Sequence, residues 1–151
     1  MKVKIKSEIK NIPKKANSND AAYDCVAISF TETDDYIEYG LGFSLEIPDD
    51  FAGFIYPRSS ISKYDLFLCN GVGVIDSGYR DEVKVRFKRC GNKIYEIGDR
   101  VCQLIISPTL NVEFENVESL DIDKNRNGGF GSSNLNRDLE SERKELSKGL
   151  E

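Results

Sequence analysis

The chain of 151 residues has no histidine and no tryptophan, one methionine and four prolines. Without histidine, the Ser-His-Asp triad, Cys/His nucleophiles and most zinc sites are excluded in one step. Its four cysteines, Cys25, Cys69, Cys90 and Cys102, form no CxxC pair. Each lies in an apolar stretch or, for Cys90, beside a Gly-Asn turn, which reads as buried or half-buried free thiols in a reducing compartment rather than a disulfide framework. Long hydrophobic runs are also missing. No apolar run exceeds four residues, Leu66-Phe67-Leu68-Cys69 being one example, and that is far too short to span a bilayer as a helix. The basic start MKVKIKSEIK has no apolar stretch behind it and does not read as a secretory signal. Positive charge is in deficit, with 21 bases against 26 acids and a net charge of −5. That is the wrong sign for gripping a nucleic-acid backbone. These absences point to a soluble domain with no membrane contact and no stable nucleic-acid binding. Its expected place is the cytoplasm or another intracellular compartment, the nucleus if the host is eukaryotic or the chain viral. Catalysis would have to run on carboxylates, hydroxyls, Lys/Arg, backbone amides or a hard metal.

What is present has the period of strands. Val83-Lys84-Val85-Arg86-Phe87-Lys88 and Phe43-Ser44-Leu45-Glu46-Ile47 alternate apolar with polar, Val3 and Ile5 alternate with lysines, and Val112-Glu113-Phe114-Glu115 repeats the pattern near the end. Turn signals at Pro48-Asp49-Asp50, Gly91-Asn92, Gly98-Asp99 and Ser107-Pro108 separate the runs. The pattern predicts an all-β sandwich or barrel-like domain. A short helical turn is expected after Ser59-Ser60, where serine capping is available. Three segments are expected: a β domain over 1–123, a flexible glycine-rich arm over 124–133, and a charged tail over 134–151. In that tail nine of 18 residues are charged, and Leu135, Leu139, Leu146 and Leu150 form a weak helical stripe.

Five polar or glycine-bearing segments interrupt the strand pattern: Tyr23-Asp24; Pro57-Arg58-Ser59-Ser60; Asn70 to Arg80, read as a hairpin whose apolar arm ends in Asp76; Gly98-Asp99-Arg100-Val101-Cys102-Gln103; and Gly128-Gly129-Phe130-Gly131-Ser132-Ser133. Singly, each has a bland explanation as a cap, a surface ion pair or a turn. Together, arginine, serines and glycine-freed backbone amides suit a polyphosphate. Asp24 and Asp76 suit Mg²⁺ and water. In this order the five segments resemble the five motifs of the homotrimeric dUTPases, over about residues 20 to 133, with Gly73-Val74-Ile75-Asp76-Ser77-Gly78-Tyr79-Arg80 and the arm segment as the strongest matches.

The resemblance implies a jelly-roll-like all-β fold and hydrolysis of dUTP to dUMP and pyrophosphate, which limits uracil incorporation into DNA and supplies dUMP for dTMP synthesis. Asp76 would take the proton of the water that attacks the α-phosphorus. Tyr79 would lie against the deoxyribose, and the backbone from Asn70 through Gly73, Val74 and Ile75 would read the uracil edge. Lys84 is carried over as a further substrate-binding position. Arg58, Ser59, Ser60 and Gln103 would hold the triphosphate, with Mg²⁺ on its oxygens and Asp24 reached through a water. Phe130 would close over the base, and Arg126, Gly131, Ser132 and Ser133 would clamp the phosphates. Sites would lie between subunits of a homotrimer. Where the family usually has glycine after Tyr-Arg, this chain has Asp81, a residue that tolerates a left-handed turn. Two alternatives remain: a dCTP deaminase-like enzyme, which needs a glutamate in the strand after the hairpin where none occurs between Glu82 and Glu96, and a non-catalytic or dual-role module kept for a protein partner.

Overall fold

A computed structural model of the chain describes residues 1–125. Ten strands form along it: β1 (Lys4–Lys6), β2 (Tyr23–Val26), β3 (Ser29–Glu32), β4 (Ile37–Gly40), β5 (Ser44–Glu46), β6 (Phe51–Tyr56), β7 (Leu66–Leu68), β8 (Gly73–Ile75), β9 (Lys84–Arg89) and β10 (Arg100–Pro108), with one 3-10 turn at Ser59–Lys63. All pairings are antiparallel. One four-stranded sheet runs β2-β10-β6-β8, a second β3-β4-β9-β7, and β1 pairs β5 alone. The order is one in which sequence neighbours repeatedly change sheets, and the result is the expected all-β, jelly-roll-like architecture.

The alternation read from the sequence is the alternation that packs. In β9, Val85 and Phe87 are buried while Lys84, Arg86 and Lys88 face outward. One core cluster gathers Cys25, Ile55, Ile75, Val101 and Leu104 from the first four-stranded sheet with Ile37, Tyr39, Leu66, Val85 and Phe87 from the second. Gly53 is required where the core is tightest: a Cβ there would sit 3.2 Å from Ile47 Cδ1 and Ile75 Cβ. Tyr39, fully buried, donates its hydroxyl to the Tyr95 carbonyl at 2.9 Å. Burial pushes its pKa up to about 12. A phenol whose folded value is raised stabilises fully below its unfolded value and loses that contribution as pH climbs through the folded one. Thermal melts should therefore show falling stability between about pH 10 and about pH 12. Tyr39→Phe should flatten that fall while starting about 1 kcal/mol lower, for the lost hydrogen bond.

Four expectations change. The alternation at 112–115 forms no strand, because β10 ends at Pro108 and nothing pairs with the segment among the described residues. Only Cys25 and Cys102 are buried; Cys69 and Cys90 are exposed at strand ends. The turn at Ser59–Lys63 forms, but its N-cap is Arg58 and no side chain caps it. Asp81 does not take a left-handed conformation; among non-glycine described residues only Lys10 and Asp50 have positive φ. The chain divides into two compact units, Met1–Val112 and the segment from Glu113 onward. No helix among the described residues is long and apolar enough to cross a membrane.

Candidate active site

The segment from Asn70 to Arg80 is not a ladder hairpin. β7 pairs with β9 in one sheet (Leu66↔Arg89, Leu68↔Phe87), and β8 pairs with β6 in the other (Gly53↔Ile75, Ile55↔Gly73). The chain crosses between sheets at Cys69–Val72, where Gly71 takes φ of 65° and its N–H bonds the Leu68 carbonyl at 3.1 Å. Strands that part leave a gap, and the gap is a cavity of about 420 Å³. Asn70, Gly73, Val74, Ile75, Tyr79 and Lys84 line it, so six positions expected from the sequence converge there. Gly73 keeps the wall thin: a Cβ would come within 3.2 Å of Ile55 Cβ.

Asp76 follows the last residue of β8 and is exposed. Its carbonyl accepts the Tyr79 N–H at 3.0 Å, closing the turn, while its carboxylate makes no hydrogen bond or ion pair among the described residues. Asp76 is therefore not spent on satisfying turn amides. Arg80 pins the same turn by donating Nη1 to the carbonyls of Ser77 and Tyr79. The Tyr79 hydroxyl donates to the Glu82 carbonyl at 3.0 Å, which fixes the ring and spends the hydroxyl proton on the backbone. If ring packing sets the choice of sugar, Tyr79→Phe should keep discrimination between dUTP and UTP and Tyr79→Ala should weaken it. Equal UTP/dUTP ratios of kcat/KM in wild type and the alanine variant would reject that role.

A second cavity, about 640 Å³, is lined by Asp24, Arg58, Ser59 and Gln103 among others. It shares no lining residue with the first; Ile55 lines one and its neighbour Tyr56 the other, as alternation along β6 requires. Gln103 of β10 lies directly opposite both Asp24 of β2 and Tyr56 of β6, and its Nε2 donates to the Pro57 carbonyl at 2.9 Å. The Asp24 side chain is 16% exposed. Arg58 donates Nε to its Oδ1 at 2.6 Å and Nη2 to its Oδ2 at 3.4 Å, and Arg100 donates Nη1 to Oδ2 at 3.0 Å. Arg58 also reaches the Ser60 hydroxyl at 3.2 Å. Asp24 is thus held between two guanidiniums, and Arg58 brings a cation to a cavity that Asp20 and Asp24 line with carboxylates; a guanidinium placed there can meet a phosphate oxygen.

No cluster of three metal-ligating side chains occurs among the described residues. Asp24 shares its cavity with Asp20, and both its oxygens already accept from arginines. That donor set suits a Mg²⁺ that keeps its waters and takes phosphate oxygens, touching the protein through water, and it does not suit a protein-built cage. The sequence marked the segment holding Arg100 but gave that residue no role, and it pointed to neither Glu38 nor Arg86 as a site residue. The last two line the first cavity, with Glu38 directly opposite Arg86 across β4 and β9. A cross-strand pair of this kind has no local signature, because register is fixed only when the sheet forms. Arg126, Phe130, Gly131, Ser132 and Ser133 lie outside the described residues.

The family model for dUTPase matches residues 8–134. The deoxyuridine 5'-triphosphate nucleotidohydrolase of Finegoldia magna is 38% identical over 141 residues, covering 87% of this chain and 97% of that protein. Among solved structures, a variant of the Staphylococcus bacteriophage 80alpha dUTPase, determined with dUpNHpp, superposes with a TM-score of 0.73 at 23% identity, covering 87% of this chain and 98% of the other. A mutant of the dUTPase from phage phi11 of S. aureus, whose structure reveals the coordination of a structural Mg(II) ion, gives 0.66 at 20% identity over 79% of this chain and 98% of the other. The chain belongs to the dUTPase family, the dUTP diphosphatases.

Proposed function

We propose that this chain hydrolyses dUTP to dUMP and pyrophosphate by direct attack of water on the α-phosphorus. The observation that carries the reading is the Asp76 carboxylate, without a partner among the described residues, at the end of the strand that forms one wall of a nucleoside-sized cavity. Asp76 accepts a proton from the attacking water; the new oxygen–phosphorus bond forms as the bond to the β-phosphate oxygen breaks, and pyrophosphate departs. Backbone from Asn70 to Ile75 reads the base edge, and Tyr79 packs on the sugar. Arg58, Ser59, Ser60 and Gln103 hold the triphosphate and offset its charge, so that positioning and electrostatics supply the rate. Asp24 would hold a Mg²⁺ through water, and the ion would supply charge neutralisation to the phosphates. The dUTPase resemblance would give Arg126, Phe130, Gly131, Ser132 and Ser133, which lie outside the described residues, further contacts to base and phosphates.

Because the nucleoside cavity and the phosphate cavity open on different faces of one strand, a single nucleotide is best served by two copies of the chain. A homotrimer with sites between subunits supplies them. An intracellular, reducing setting suits four free thiols. The rival deaminase reading needs a proton-shuttling glutamate on β9, and that strand carries none. Pyrophosphate release from dUTP, measured with Mg²⁺ and then with excess chelator, tests the proposal. Turnover that collapses on chelation supports it; no release under either condition rejects it in favour of a binding module.

A further inference from the structure

The cavity between the loop after β7, β8 and β9 has two distinct ends. Asp76 lies beyond the C-terminal end of β8, whereas Asn70 and Gly73 lie at its start. The Cys69 N–H donates to the Arg86 carbonyl at 2.9 Å, which places Arg86 at the Asn70 end. Attack at phosphorus belongs to the Asp76 end, so the opposite end receives the base. That end is charged. Glu38 accepts Arg86 Nε on Oε2 at 2.7 Å and Lys84 Nζ on Oε1 at 3.1 Å, and the Arg86 guanidinium stacks 4.3 Å from the centroid of the Tyr36 ring. With Nε on Glu38 and one face on Tyr36, the guanidinium is held from two sides. Its terminal N–H groups make no bond to protein among the described residues.

We propose that Arg86, positioned by Glu38 and Tyr36, is a specificity-determining residue that donates a hydrogen bond to the C4 carbonyl oxygen of the base, the one cytosine replaces with an amino group, and thereby favours uracil over cytosine. The inference rests on the dUTP reading above. Uracil presents two carbonyl acceptors flanking N3–H; cytosine replaces one of them with an amino donor. A guanidinium has donors only and does not deprotonate, so it cannot turn to accept from that amino group. Cytosine would leave the donor unpaired and set like partial charges face to face. Glu38 acts through Arg86 and Lys84 and is a positioning residue. Its side chain is 16% exposed, and the Arg86 hydrogen bond, then Lys84, hold its carboxyl below the usual range against burial. A carboxylate that stays ionised is a poor proton shuttle for removing an amine, so this wall rejects cytosine rather than deaminating it.

The test compares kcat/KM for dUTP and dCTP, and direct binding of dUMP and dCMP, in the full chain and in Arg86→Gln, Arg86→Lys, Glu38→Gln and Glu38→Asp. The uracil-to-cytosine ratio should fall about tenfold in Arg86→Gln and in Glu38→Gln, mostly through KM for dUTP, and recover in part in Arg86→Lys and Glu38→Asp. The binding comparison needs no turnover and so reads the ratio even where activity is low. A ratio within about twofold of wild type in Arg86→Gln overturns the inference while leaving dUTP hydrolysis standing. Formation of dUTP from dCTP by the wild-type chain also overturns it. A wild-type chain that neither hydrolyses dUTP nor binds dUMP removes the functional reading itself, and the inference with it.

Discussion

Asp76→Asn should fold, bind dUTP with near-normal affinity and turn it over ~10²–10⁴-fold more slowly. The amide matches the carboxylate in size but cannot take the proton of the attacking water. The fold should tolerate it because the carboxylate is exposed and has no partner among the described residues, while the turn it opens is closed by its backbone carbonyl and by Arg80. Two measurements decide: a thermal melt within experimental error of wild type, and single-turnover rates with saturating dUTP. A rate near wild type would mean that another group activates the water and would sink the base assignment. An equal loss of binding would instead place Asp76 in ground-state recognition.

Arg58→Gln should be as damaging from the other cavity, and the two inactive chains should rescue one another. Arg58 carries the cation of the phosphate cavity, but Asp24 keeps Arg100 when Arg58 is lost, so the variant should fold. If a site draws its Asp76 from one subunit and its Arg58 from another, random mixing of equal amounts makes roughly a quarter of the sites whole. Co-refolded Asp76→Asn and Arg58→Gln chains should then recover activity far above either parent, toward that quarter. Absence of rescue in demonstrated mixed trimers would mean that one subunit supplies both groups, and the shared site would have to be given up. The charges involved are partly exposed, so the recovered activity should also fall with rising salt.

How far the sequence alone reaches is seen in particular residues. Val83 to Lys88 announced β9 and its buried face correctly, since a period of two fixes which side chains can turn inward. The polar segments singled out Asp24, Arg58 and Asp76 by their chemistry, and the resemblance to the dUTPase motifs added Tyr79 and Gln103, because short chemical motifs are local and survive reading without coordinates. The ionic link from Asp24 to Arg100, 76 residues on, was not legible, nor was Glu38 beside Lys84 and Arg86. Such contacts depend on which strands become neighbours and in what register, and strand pairing joins residues that are remote in the chain.

The segment around Asn70 shows the same division at one place. Its glycines and apolar run predicted a reversal of the chain, and a reversal is there. Whether its arms pair with one another or with different sheets was settled by competition for partners: β9 takes β7, β6 takes β8, and the parting of the two opens the cavity. The alternation at Val112 to Glu115 makes the converse point. Its residues have the strand pattern but no strand beside them among the described residues, and an unpaired strand has no ladder to hold it. Composition, period and motif thus determined the class of fold and the chemical groups available. Tertiary structure decided which of those groups face one cavity, because only the pairing of distant strands brings their side chains within hydrogen-bonding range.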